Sequence, residues 1–129
     1  MINNELDGFV VYKPHLRAQS GLFMTISKLA VRFSLDVIKA MGTDWLLLFF
    51  DENKQRLMIQ PAKKGTTNTV KLSSAGGSVN TLVQKTVVRD VRELAGLKDG
   101  EKITVFGHKC NYATTPSIIF NLKERKEEQ

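Results

Sequence analysis

Leu94-Ala95-Gly96-Leu97-Lys98-Asp99-Gly100-Glu101-Lys102-Ile103-Thr104-Val105-Phe106 decides how the rest of the chain is read. The stretch closes a short helix at Gly96, crosses a tight Lys98-Asp99-Gly100 turn and enters a strand alternating through Ile103 and Val105. Gly96 suits the first position past a helix, because glycine enters the left-handed region without a Cβ clash. Asp99-Gly100 is a turn dipeptide on the same ground. A weaker copy stands 54 residues earlier, where placing Gly42 on Gly96 also sets Phe33 on Val87, Asp36 on Asp90 and Val37 on Val91. Ala40-Met41-Gly42 then answers Leu94-Ala95-Gly96.

Working outward, each copy sits in a unit of strand, strand, short helix, strand, strand. In the first, Leu22 to Ile26 and Ala30 to Phe33 read as strands about a bend at Ser27 to Leu29. Ser34 can cap the helix, since its hydroxyl accepts from free first-turn amides. Val37, Ile38 and Met41 recur at helical spacing. Trp45 to Phe50 is almost continuously apolar and predicts a strand buried on both faces. Asp51 to Lys54 turns the chain, and Arg56 to Gln60 returns with Leu57 and Ile59 inward.

In the second unit Thr81 to Val88 reads as a strand, and Val88, Val91, Leu94 and Ala95 form the helical stripe. Lys102 to Phe106 and Ser117 to Leu122 are the closing strands, separated by a polar loop from Gly107 to Pro116. Lys123 to Gln129 carries alternating charge and no core residue, so it should fray. Upstream, Phe9 to Lys13 reads as a further strand stopped by Pro14.

The expectation is therefore one domain over 1–129, α+β and mostly β. Duplicated β-β-α-β-β halves, about 22–61 and 76–123, form one barrel-like pseudo-dimer. A basic segment over about 62–80 joins them, with Gly76-Gly77-Ser78 as a flexible joint. At 129 residues the chain can bury a core without staples. Its single cysteine, Cys110, excludes an internal disulfide and fits a reducing compartment. With no secretory signal and no apolar run longer than Trp45 to Phe50, the expected location is cytoplasmic, away from the membrane.

The net charge of +6 is concentrated. From Asn53 to Arg89 there are seven basic residues and no acidic one, while the remainder holds 12 basic against 13 acidic. A clustered positive field attracts polyanions. Solvated loop lysines are the plainer reading of the same pattern.

The second half, V-V-R-D-V-R-E-L-A-G-L-K-D-G-E-K-I-T-V, resembles the swapped-hairpin, cradle-loop barrel family of AbrB, SpoVT and MazE. Gly96, Leu97, Lys98, Gly100, Glu101 and Ile103 match its G-[LI]-K-x-G-D-x-[VIL] turn. The first half, V-R-F-S-L-D-V-I-K-A-M-G, matches the extended and helical part and departs after Gly42. The resemblance implies a non-enzymatic transcriptional regulator or antitoxin that binds duplex DNA, acting as a monomeric pseudo-dimer or a homodimer. By position, the helix-borne contacts would be Lys39 and Arg92, and the extended segments would offer Arg32, Lys85 and Arg89. Lys28, Lys63, Lys64 and Lys71 extend the basic set. The family's glycine-arginine pair is absent, since Leu29-Ala30 and Val83-Gln84 hold those places.

Other chemistry has little support in the residues. No nucleophile motif, phosphate-cradling glycine loop or paired-carboxylate setting is present, and no cofactor is expected. His108-Lys109-Cys110 brings two soft ligands near each other, but His15 is remote and no second cysteine completes a zinc site. Trp45, Phe49 and Phe50 are expected in the core. Only Tyr12, Phe23 and Tyr112 are left to stack on single-stranded bases, all outside the basic window. The alternative function is a protein-binding inhibitor or adaptor, of phage or mobile-element origin, using the barrel as a platform and the Gly107 to Pro116 loop for specificity.

Overall fold

The computed structural model describes residues 21–75 and 78–126. The strand expected at Phe9 to Lys13, His15 and Tyr12, the Gly76-Gly77 joint and the last three residues lie outside the described residues. The elements run β1 (Phe23–Ile26), β2 (Val31–Phe33), α1 (Leu35–Met41), β3 (Trp45–Asp51), β4 (Arg56–Pro61), β5 (Val70–Lys71), β6 (Ser73–Ala75), β7 (Ser78–Leu82), α2 (Lys85–Ala95), β8 (Ile103–Tyr112) and β9 (Thr115–Lys126). The class is mostly β, with two short helices among the described residues.

All nine strands join one antiparallel sheet in the order β5-β3-β4-β9-β8-β1-β2-β7-β6. Its two ends are consecutive in the chain. Residues 70–71 pair with β3 and residues 73–75 pair with β7, with only Leu72 between them. The Leu72 amide continues the β3 side by donating to Asp44 O at 2.8 Å, and its side chain is buried. One six-residue segment thus spans both edges, and the sheet curls into a nearly closed barrel. Closure protects backbone groups that an open edge would leave for other chains.

The interior is filled by alternate residues of every long strand, among them Met24, Ile26, Phe33, Leu46, Leu57, Ile59, Ile118 and Phe120, all fully buried. Phe33 and Phe120 meet at a ring-centroid distance of 6.0 Å, inside the range of favourable aromatic pairs. The β8–β9 register shifts between Val105 and Gly107, where Val105 faces Arg125 but Gly107 faces Phe120, so the extra residues lie on β9. Gly107 faces Phe120 and Ile118 so closely that an added Cβ would stand 2.7 Å from the Phe120 ring. A glycine at such a corner lets two strands approach where a side chain would separate them.

The two glycines of the opening comparison do matching work. Gly42 (φ 70°) and Gly96 (φ 71°) both terminate helices in the left-handed conformation. Val37, Met41, Val91 and Ala95 are buried. The 54-residue offset fails ahead of the helices, however, because Phe33 is in β2 while its match Val87 is already helical. α2 begins earlier relative to its glycine than α1 does. The expected strand from Thr81 to Val88 stops at Leu82. Val88 extends the buried stripe of Val91, Leu94 and Ala95 back by one turn, and that burial overrides the β propensity of Val87-Val88.

Three further expectations are corrected. Gly107 to Pro116 is no loop: β8 and β9 run on as a hairpin in which Tyr112 pairs with Thr115. Its two-residue turn places Ala113 at φ 51° and Thr114 at φ 64°, the backbone of a primed hairpin turn without the usual Asn-Gly. Trp45 to Phe50 is not buried on both faces: only Leu46 is fully buried, while Phe49 and Phe50 are 36% and 40% exposed. Both aromatics lie toward the hairpin end of β3, and Phe49 rests against Tyr112 with ring centroids 5.9 Å apart. Finally, the chain from Lys123 to Lys126 continues β9, with Arg125 and Lys126 opposite Val105 and Thr104.

Candidate nucleic-acid interface

α2 is the centre of the basic surface, and its position is set at its C-terminal end. The Gly96 amide donates to Glu93 O and the Leu97 amide to Arg92 O, both at 3.0 Å, closing the helix with a Schellman pattern. The Lys98–Glu101 turn follows, with the Lys98 amide held by Glu101 Oε1 at 2.7 Å. The Arg92 guanidinium then ties three segments together. Nη1 donates to Ser27 O at 2.9 Å and to Glu101 O at 2.7 Å, and Nη2 donates to Lys98 O at 2.6 Å. Three of its five N–H groups therefore point at backbone carbonyls. Arg92 is a strut that fixes the β1–β2 turn against α2.

That strut builds a cleft of about 370 Å³ between the β1–β2 turn and α2. Lys28, Lys85 and Arg89 line it together with Leu29, Val88 and Leu97, while Glu93 and Asp99 also border it. Lys85 and Arg89 are one helical turn apart and share a face of α2. Both are exposed, as is Lys28 across the cleft. Arg89 also reaches Asp90 Oδ1 at 3.2 Å, with both side chains about half exposed or more. Such a pair is weak in water, so Arg89 can exchange it for a stronger anion.

The opposite flank of α2 has the reverse sign. A groove of about 560 Å³ there is lined by Phe50, Glu52, Asn53, Gln55, Asp90, Glu93 and Leu94. The helix thus lies between a mainly basic cleft and an acidic groove, with Glu93 lining both.

Of the expected contact residues, the structure brings together Lys28, Lys85, Arg89 and Arg92. Lys85 and Arg89 stand on a helix rather than on an extended segment. The others do not line this cleft. Arg32 is exposed on β2 opposite Thr81, and Lys39 is exposed in the last turn of α1. Lys63 and Lys64 are exposed between β4 and β5. Lys71 sits on β5 with its ammonium 5.8 Å from the Trp45 ring centroid, a cation–π contact. The apolar lining of Leu29, Val88 and Leu97 was not legible as part of a site. Leu29, 76% exposed beside Lys28 at a hairpin turn, was its one visible signal.

Elsewhere, Arg56 holds the Asp51 carboxyl below its ordinary range through a side-chain hydrogen bond, helped by the Lys54 amide. His108 and Cys110 both lie on β8. Among the described residues no group of three or more His, Cys, Asp or Glu is placed to hold a metal ion. No helix among them is long and apolar enough to cross a membrane. Comparison with protein-family models, curated proteins and solved structures found no significant match.

Proposed function

We propose that the chain is a non-enzymatic duplex-DNA-binding protein of the transcriptional-regulator or antitoxin kind, built as an internally duplicated relative of the AbrB-like barrel. The observation that carries the reading is the convergence of Lys28, Lys85 and Arg89 on one cleft beside α2. These cations contact phosphates and supply affinity, while base edges supply any sequence preference. Arg92 holds the cleft in shape.

The pairing scheme supports the duplicated architecture. The order β1-β2-α1-β3-β4 recurs as β6-β7-α2-β8-β9. Like strands meet, β2 with β7 and β4 with β9, and β1 pairs across to β8 as the β5–β6 segment does to β3. Two interleaved hairpin pairs of this kind form one core that neither half completes alone.

The test is a salt series with a short mixed-sequence duplex. Binding should weaken steeply as salt rises, each phosphate contact contributing about 0.9 to the log–log slope. Affinity independent of salt would sink the mechanism.

The adaptor reading loses the loop on which it leaned and retains one observation, the exposed Phe49–Tyr112 pair. A partner captured after complete nuclease treatment and lost in Tyr112→Ala would favour it. Recovery of nucleic acid alone would remove it.

A further inference from the structure

We infer that the chain engages duplex DNA through one of its two halves, so that its site is a single directional element and not a palindrome. The inference rests on the DNA-binding reading above and adds to it the number and polarity of the contacts.

The two helices occupy corresponding places in the proposed halves but carry different charge. α2 presents Lys85 and Arg89 on one face with Lys28 across the cleft. α1 has seven residues and a single cation, Lys39. Its one acid, Asp36, is tied down by accepting from the Gly21 amide at 2.7 Å. The β1–β2 connection, Ser27-Lys28-Leu29-Ala30, adds a further cation on the α2 side.

The grooves between each helix and the opposing long hairpin repeat the contrast. Beside α1 the groove of about 330 Å³ has one charged lining residue, Lys109. Beside α2 the corresponding groove is lined by Glu52, Asp90 and Glu93. Glu93 borders both flanks of α2, but Glu52 and Asp90 lie only on the far one, while Lys28, Lys85 and Arg89 lie only in the cleft. A phosphate backbone is therefore drawn to the cleft side, and the charges favour this half and one direction of approach. A symmetric pair of contacts, as a palindrome demands, is not built into these charges.

Two charge-reversal pairs test this on the full chain with a short mixed-sequence duplex. Lys85→Glu with Arg89→Glu should lower affinity about tenfold or more at low salt and reduce the log–log salt slope by about 1.8. Lys39→Glu with Lys109→Glu should change affinity less than about threefold and leave the slope nearly unaltered. All four positions are solvent-accessible, and circular dichroism and thermal melting verify that each variant is folded. Equal losses from both pairs, or two equivalent duplex sites per chain by calorimetry, would overturn the one-sided arrangement while leaving DNA binding intact. A parent chain that binds no duplex overturns both readings together.

Discussion

α1 and α2 end on matching glycines but are secured at opposite ends. Ser34, at the start of α1, is buried and fully used: its hydroxyl accepts from the amides of Phe23 and Val37 and donates to Gly21 O at 2.8 Å. Gln84, at the start of α2, makes no capping bond and sends its amide group to Lys71 O instead. α2 compensates with length, a stronger C-terminal closure and the Arg92 strut. One helix is therefore fixed by its own first turn. The other is fixed by contacts with a hairpin far away in sequence, and it is this second helix that carries the cations. A surface held from its far end leaves its first two turns, with Lys85 and Arg89, exposed.

The largest effect is expected where β8 and β9 shift register beside Gly107. Gly107→Ala forces a Cβ against the fully buried Phe120 ring, and overpacking of this kind costs about 1–3 kcal/mol. Urea denaturation should register the loss in full, and an unchanged midpoint would mean the corner has room to relax.

Next comes the strut. Arg92→Lys retains the charge yet cannot reach the three carbonyls of Ser27, Lys98 and Glu101 from one ammonium. Discounted for partial exposure, the expected loss is about 1–2 kcal/mol, with faster amide exchange in the β1–β2 turn and little change near α1. Exchange raised equally near α1 and in the β1–β2 turn would contradict a local strut.

The caps sharpen the contrast further. Ser34→Ala should cost about 1 kcal/mol, whereas Gln84→Ala should cost distinctly less, because only the first removes a cap. Equal losses would erase the distinction between the two helix starts.

The smallest effect lies at the mouth of the β3–β4 hairpin. Asp51 accepts from Arg56 Nη2 at 2.7 Å, which places its folded-state pKa below the ordinary value of 3.8. A depressed carboxylate contributes stability above its unfolded pKa and loses it as pH falls through the folded one. Asp51→Asn should therefore be slightly less stable than the parent at neutral pH, with the gap closing as pH drops below 3.8. A gap that persists in acid would assign the effect to something other than this charge.

How far the residues announce this structure depends on the range of the interaction. The Ser34 cap, the two closing glycines, the Asp99-Gly100 turn and the inward Leu57 and Ile59 were all legible, because backbone preference and burial period act over a few neighbours. The β8–β9 turn was hidden for a local reason of its own, since Ala113 and Thr114 adopt positive φ that neither residue type advertises. Of the site, the sequence supplied the list of cations but not their grouping.

What the chain determines by itself, then, is where helices stop, where turns fall and that a positive excess lies between Asn53 and Arg89. Only the tertiary structure decides that residues 70–75 close the sheet by bridging its two ends. It alone places Lys28 opposite Lys85 and Arg89, through a guanidinium that reaches a carbonyl 65 residues away. A residue's φ and its alternation with its neighbours are short-range properties. Which strands meet, and which charges share a cleft, depends on how distant segments pack, and no local pattern records that.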